Sequence, residues 1–217
     1  LMAFNNNNNN NNNNEGSSST TLLLSLPDWS TRHRIALGVA QAMVYLHGNK
    51  VLHRDLKSTN ILLHDTFVPK VSDFGLIQIV SDNSGGNEVS THDYVAPEVR
   101  VLANSNQIKK NFTEKSDVYS YGVLLLELLT GKSPTNTATG EGMDLPTWVQ
   151  SVVREEWTSE VFDVELLRFP GLEEDMVELL QIAMSCVSPS PDQRPLMKQL
   201  LYMLNHLRKH EEDKDIA

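Results

Sequence analysis

The densest chemistry in this sequence lies in one short stretch, His53-Arg54-Asp55-Leu56-Lys57-Ser58-Thr59-Asn60, with Asp73-Phe74-Gly75 a little further on. An aspartate, a lysine and an asparagine in one tight loop can hold a hydroxyl, a phosphate and a metal ion. The second aspartate follows a short β-like piece and precedes a glycine that permits a sharp backbone turn. Mg2+ takes a few carboxylate or amide oxygens and fills its shell with phosphate oxygens and water. The set is therefore suited to phosphoryl transfer from a magnesium nucleotide. Taken singly, each carboxylate reads equally well as a charge on a surface loop.

These residues need elements to position them. Ile35, Val39, Ala42, Met43 and Leu46 recur at helical spacing, and Gly48-Asn49 supplies the stop. Short β-like pieces follow at Val51-Leu52, Ile61 to Leu63 and Lys70 to Ser72. Residues 77–93 are rich in Ser, Gly, Asn and Asp and read as a long loop of functional type. Ser116 to Thr130 is apolar nearly all round and closes at Gly131, which predicts a central, buried helix. Met176, Leu179, Leu180, Ala183, Met184 and Val187 mark another helix, and Leu200, Leu201, Leu204 and Leu207 a last one. The reading is a mainly α (α+β) body whose few strands cluster before residue 73.

Composition narrows the classes. The chain has 217 residues, 40% hydrophobic and 21% charged, enough for one cored domain. Its apolar runs, such as Val123 to Leu126, fall short of the ~18–20 residues that span a bilayer. No secretory signal pattern is visible. The lone Cys186 excludes an internal disulfide, fits a reducing compartment, and lies in an apolar helix as inert core. Net charge is −10 from 18 basic and 28 acidic residues, which argues against nucleic-acid binding. Residues 1–140 carry 11 basic and 12 acidic residues, whereas 141–217 carry 7 and 16, so any polyanion chemistry belongs to the first part. The seven histidines lack zinc-ligand spacing, and Gly131-Lys132-Ser133 lacks the earlier glycine of a phosphate loop, having Leu126 there.

The chain start is unusual. Leu1 to Phe4 reads as the end of an apolar strand, and residues 5–26 as an Asn/Ser/Thr-rich segment expected to be disordered. A partner-binding tract is one reading of it, and a tolerated loop insertion the better one. The ordered body is expected over 27–208, with a charged tail at 209–217.

At this point the sequence resembles a known family. Residues 53–60 are similar to the catalytic loop of eukaryotic protein kinases, 73–75 to their Asp-Phe-Gly segment, and Ala96-Pro97-Glu98 to the triplet closing the activation segment. Residues 116–132, and 145–153 followed by Trp157, resemble plant leucine-rich-repeat receptor-like serine/threonine kinases. The likeness spans roughly 27–208 and implies the helical large lobe of the kinase fold. It implies ATP and Mg2+ as cofactors, with Asp55 as the base for the substrate hydroxyl and Asn60 and Asp73 as metal ligands. Lys57 resembles the lysine set against the γ-phosphate in Ser/Thr kinases, and Leu62 the apolar residue under the adenine. His53 and Phe74 resemble a stacked spine, with Gly75 at the turn. Asp117 resembles the aspartate that takes backbone N–H bonds from the catalytic loop, and Glu98 with Arg194 the buried pair tying the activation segment to the late helices.

Arg54 before the catalytic Asp implies activation by a phosphate on the long loop, where Ser81, Ser84, Ser90 and Thr91 are candidate acceptors. Thr91 fits better in the peptide-docking loop. Asp93 stands where the family usually has glycine, so backbone strain and impaired substrate docking are expected there. The resemblance implies a protein substrate or partner kinase and a cytoplasmic setting, or the cytoplasmic face of the plasma membrane in a longer, membrane-anchored parent. The small lobe with its Gly-rich loop, strand lysine and glutamate partner is not found ahead of His53; Leu1 to Phe4 reads as a remnant of the strand joining the lobes. The expectation is a large-lobe fragment with little activity alone. The alternatives are a non-catalytic binding or scaffold module, like a pseudokinase, and a truncated gene product.

Overall fold

The computed structural model describes residues 27–64, 66–76, 93–103, 112–134, 143–154 and 158–214. The asparagine tract, most of the long loop with its four candidate acceptors, and Trp157 lie outside the described residues. Helix α1 (Trp29–Gly48) starts where the Asp28 carboxylate accepts the Thr31 N–H at 2.9 Å and ends at Asn49, at the stop read from the sequence. A two-stranded antiparallel hairpin follows, β1 (Ile61–Leu63) and β2 (Pro69–Val71), with Ile61 opposite Val71 and Leu63 opposite Pro69. Then come α2 (Pro97–Ala103), α3 (Glu114–Thr130), α4 (Leu145–Arg154), α5 (Glu173–Cys186) and α6 (Met197–Lys214). The tail from residue 209 thus begins inside α6.

One β-like piece is not a strand. Val51 donates its N–H to Leu46 O at 2.9 Å, folding the segment back on the end of α1 and leaving no ladder partner. The third piece pairs over Pro69–Val71, and Ser72 turns its N–H to Asn60 O at 2.9 Å.

Helix α3 organises the rest. Thr113 and Ser116 form a reciprocal capping box at its start, and every residue from Ser116 to Thr130 is buried. Each fully buried leucine contributes about 1.5–3 kcal/mol relative to exposure, against tenths of a kcal/mol from helix propensity, so packing holds this helix. Gly131 ends it in the left-handed conformation, φ 65°, and donates to Glu127 O at 3.0 Å. Helix α5 lies against α3, and α6 against α1. The first contact is close: a Cβ on Gly122 would come within 2.6 Å of Cys186 Cβ. Burial pushes the Cys186 thiol up to about 12. On the other side, Tyr121 Oη donates to Ala36 O at 2.9 Å, joining α3 to α1.

A buried cation closes the far end. Arg32 reaches Leu128 O at 2.8 Å, Pro27 O at 2.6 Å and the Asp163 carboxylate at 2.6 Å. The ends of α1 and α3 and the segment after α4 meet there.

Candidate functional site

Asp117, in the first turn of α3, lies buried under the 53–60 loop. One of its oxygens accepts the His53 N–H at 2.9 Å and the other the Arg54 N–H at 2.9 Å. His47, from the last turn of α1, bonds Oδ2 at 2.9 Å. Arg54 has φ 70°, a conformation that costs a non-glycine residue about 1–3 kcal/mol and persists only where surroundings impose it. The Asp117 carboxylate is that imposition. Burial lowers the pKa of His53, favouring the neutral ring; Nδ1 accepts the Asp55 N–H at 3.3 Å and Nε2 has no hydrogen-bond partner among the described residues.

Three side chains converge above this floor. Asp55 Oδ2 lies 2.9 Å from Lys57 Nζ, and Asn60 Nδ2 donates to Asp55 O at 2.8 Å and Oδ2 at 3.2 Å. With its amide nitrogen so committed, the acceptor Asn60 offers is its carbonyl oxygen. The hairpin brings in the second motif: β1 pairs with β2, Ser72 bonds Asn60 O, and Gly75 donates to His53 O at 3.3 Å. Asp73, exposed and at φ 62°, sits between these two ties. An amide oxygen and a carboxylate are hard donors of the kind Mg2+ takes, so the residues fit that ion. Leu62 is half-buried on β1. Phe74 is 49% exposed, so its ring is not sealed over the buried His53.

Below the loop lies a polar cluster that sequence reading missed. Ser58 Oγ donates to Glu127 Oε1 at 3.2 Å, Tyr94 Oη donates to Glu127 Oε2, and Ser120 Oγ donates to Tyr94 O at 2.8 Å. Burial raises the Glu127 carboxyl to about 7, the hydrogen bonds opposing it. The available signal was a carboxylate within the apolar run Val123 to Leu129, which must find donors. His47 and Arg32 were missed for want of any local pattern.

Glu98 and Arg194 make a two-pronged pair at 2.7 and 2.8 Å, with Arg194 also bonded to the carbonyls of Ser188 and Lys115 and stacked 5.0 Å from the Tyr119 ring centre. Arg54 lies 5.8 Å from the Phe112 ring centre, its Nε buried without a hydrogen-bond partner among the described residues. Asp93 carries no left-handed strain: among the described residues, positive φ outside glycine occurs at Lys50, Arg54, Phe67 and Asp73. Its carbonyl accepts from Arg100 at 2.9 Å, so the conformation expected to need glycine is not adopted.

A mostly helical body with one hairpin, its polar loop seated on a buried central helix, defines a protein-kinase-like large lobe. A family model described as the protein kinase domain matches residues 15–204, and the chain belongs to that family. It is 46% identical over 188 residues to a probable leucine-rich repeat receptor-like protein kinase of Arabidopsis thaliana, covering 83% of this chain and 27% of that protein. It is 49% identical over 187 residues to a probable inactive receptor kinase of the same plant, covering 83% and 28%. A solved structure of the pseudokinase domain of BIR2, described as an immune regulator of the RLK/Pelle family, superposes with TM-score 0.68 at 30% identity. That likeness covers 89% of this chain and 58% of the other. The chain is thus a kinase domain of receptor-like type, spanning little more than a quarter of the length of these curated relatives. No described helix is long and apolar enough to cross a membrane.

Proposed function

We propose that this chain carries the chemical half of an ATP-dependent protein serine/threonine kinase, and that the 217 residues alone turn over little or no substrate. The convergence of Asp55, Lys57 and Asn60 supports this reading most. Asp55 receives the proton of a protein hydroxyl. Lys57, which holds the Asp55 carboxylate, also faces the transferred phosphate. Asn60 Oδ1 and the Asp73 carboxylate would hold Mg2+, which would neutralise charge on the phosphates. Leu62 lines the adenine side. Arg54 answers a phosphate on the 77–93 loop, while Asp117 and the Glu98–Arg194 pair keep the loop and the activation segment in place.

Low turnover follows because phosphoryl transfer depends on positioning and charge stabilisation. The sequence ahead of residue 53 offers no Gly-rich loop or strand lysine, and Phe74 stands half exposed. A protein substrate, a cytoplasmic setting and a membrane-anchored parent accord with the receptor-like relatives. The second reading, a non-catalytic binding module, is favoured by relatives named as inactive and by the pseudokinase likeness.

Titration calorimetry of Mg-ATP into the purified chain tests the site. Saturable binding lost in Asp73→Ala, with no phosphate transferred to a serine peptide, is the expected result. Robust transfer by the chain alone overturns the low-activity half. Absence of binding at millimolar nucleotide, or binding indifferent to Asp73→Ala, overturns the site itself and leaves the binding module.

A further inference from the structure

Far from the polar loop, Val164, Leu167 and Phe169 are 69%, 44% and 50% exposed. A single exposed apolar side chain is ordinary; three within six residues form a patch that marks an interaction surface. They stand on a turn closed by Asp163 O, which accepts from Leu166 at 2.9 Å and Leu167 at 3.3 Å. Residues three apart in such a turn share a face, which puts Val164 beside Leu167. Phe169 follows, its N–H on Leu166 O at 3.2 Å.

The turn is fixed from beneath. Phe162 and Leu166 are buried, Asp163 donates its N–H to Leu129 O at 2.9 Å, and its carboxylate is clamped by Arg32 at 2.6 Å. Little ordering is therefore lost when something binds the exposed side chains.

The stretch of chain that carries it is acidic. Residues 158–178 contain seven carboxylates and one basic residue, Arg168, which is paired with Glu165 at 2.8 Å. Glu160, Glu173, Glu174 and Glu178 are exposed, and Asp175 is buried with Oδ2 unpartnered among the described residues. We infer that this face docks a basic, amphipathic segment of another protein, apolar anchors on Val164, Leu167 and Phe169 and Lys or Arg toward the glutamates. A second copy of the chain would set the same carboxylates against each other, and an anionic lipid surface would meet the same repulsion.

The probe is a labelled helical peptide of alternating Leu and Lys faces, followed by fluorescence anisotropy against the whole chain, with a Leu/Glu peptide of the same pattern alongside. The Leu/Lys peptide binds saturably and the Leu/Glu peptide does not. The Leu167→Ser/Phe169→Ser variant weakens binding at least about tenfold. Glu173→Gln/Glu174→Gln weakens it too and flattens its salt dependence, while Tyr45→Ser, exposed near the opposite end of α1 from Arg32, leaves it unchanged. Equal affinity across these variants means non-specific adhesion to an acidic protein and overturns the inference. Self-association without peptide, lost in Leu167→Ser/Phe169→Ser, overturns it in favour of a second copy.

Discussion

One carboxylate, Asp117, accepts from three donors on two elements, and the left-handed Arg54 depends on it. Asn offers one acceptor oxygen instead of two, so Asp117→Asn orphans a buried donor. A loss of about 1–3 kcal/mol is expected, read as a lower urea midpoint together with faster hydrogen exchange at the His53 and Arg54 amides. Glu127 gives a pH-dependent effect. Its carboxyl rises from 4.5 to about 7 through burial, so between those values the folded chain holds more protons than the unfolded one. Stability therefore falls as pH rises through that window and levels off above it, by at most about 3 kcal/mol. Glu127→Gln should remove most of the stability difference between about pH 5 and pH 8; an unaltered slope would assign it to other groups. The residues of the loop were legible because their chemistry is contiguous in sequence. Glu127, His47 and Arg32 were not, because what each needs lies 33 to 131 positions away.

At the scale of elements, the long helices showed themselves through apolar spacing, and α3 through being apolar on every side. Val51-Leu52 did not, since two apolar residues fit a strand or a return onto the preceding helix, and a hydrogen bond to Leu46 decides between them. The separation of α3 and α5 is set by Gly122. Its replacement by Ala drives a methyl against Cys186 Cβ and Val187 Cγ1, at 2.6 and 2.8 Å, an overpacking worth about 1–3 kcal/mol of destabilisation. Gly48 makes the contrast: a Cβ there meets nothing within 4 Å, and it lies inside the last turn of α1. Gly48→Ala should stabilise by up to about 1 kcal/mol, the opposite sign in the same thermal melt.

Across the whole molecule, buried ions join parts that sequence separates. Arg194 is fully buried and Glu98 only a quarter exposed, so Glu98→Ala strands a charge in the interior; about 3–5 kcal/mol should be lost. The surface pair Arg168–Glu165 has the same chemistry, but Arg168→Ala should change stability by less than about 1 kcal/mol. Comparable losses for the two would show that burial is not what distinguishes them. The acidic second part of the chain was legible from charge counts, whereas its apolar turn was not, since leucine, valine and phenylalanine on the page read as core. Cys186, finally, is the chain's single thiol, wholly enclosed between α3 and α5 and held protonated. Alkylating reagents attack the thiolate, so the reaction must wait until those helices part. The protein thus carries its own clock: the labelling rate counts openings of the packing under the polar loop, and any ligand that steadies the loop will slow it.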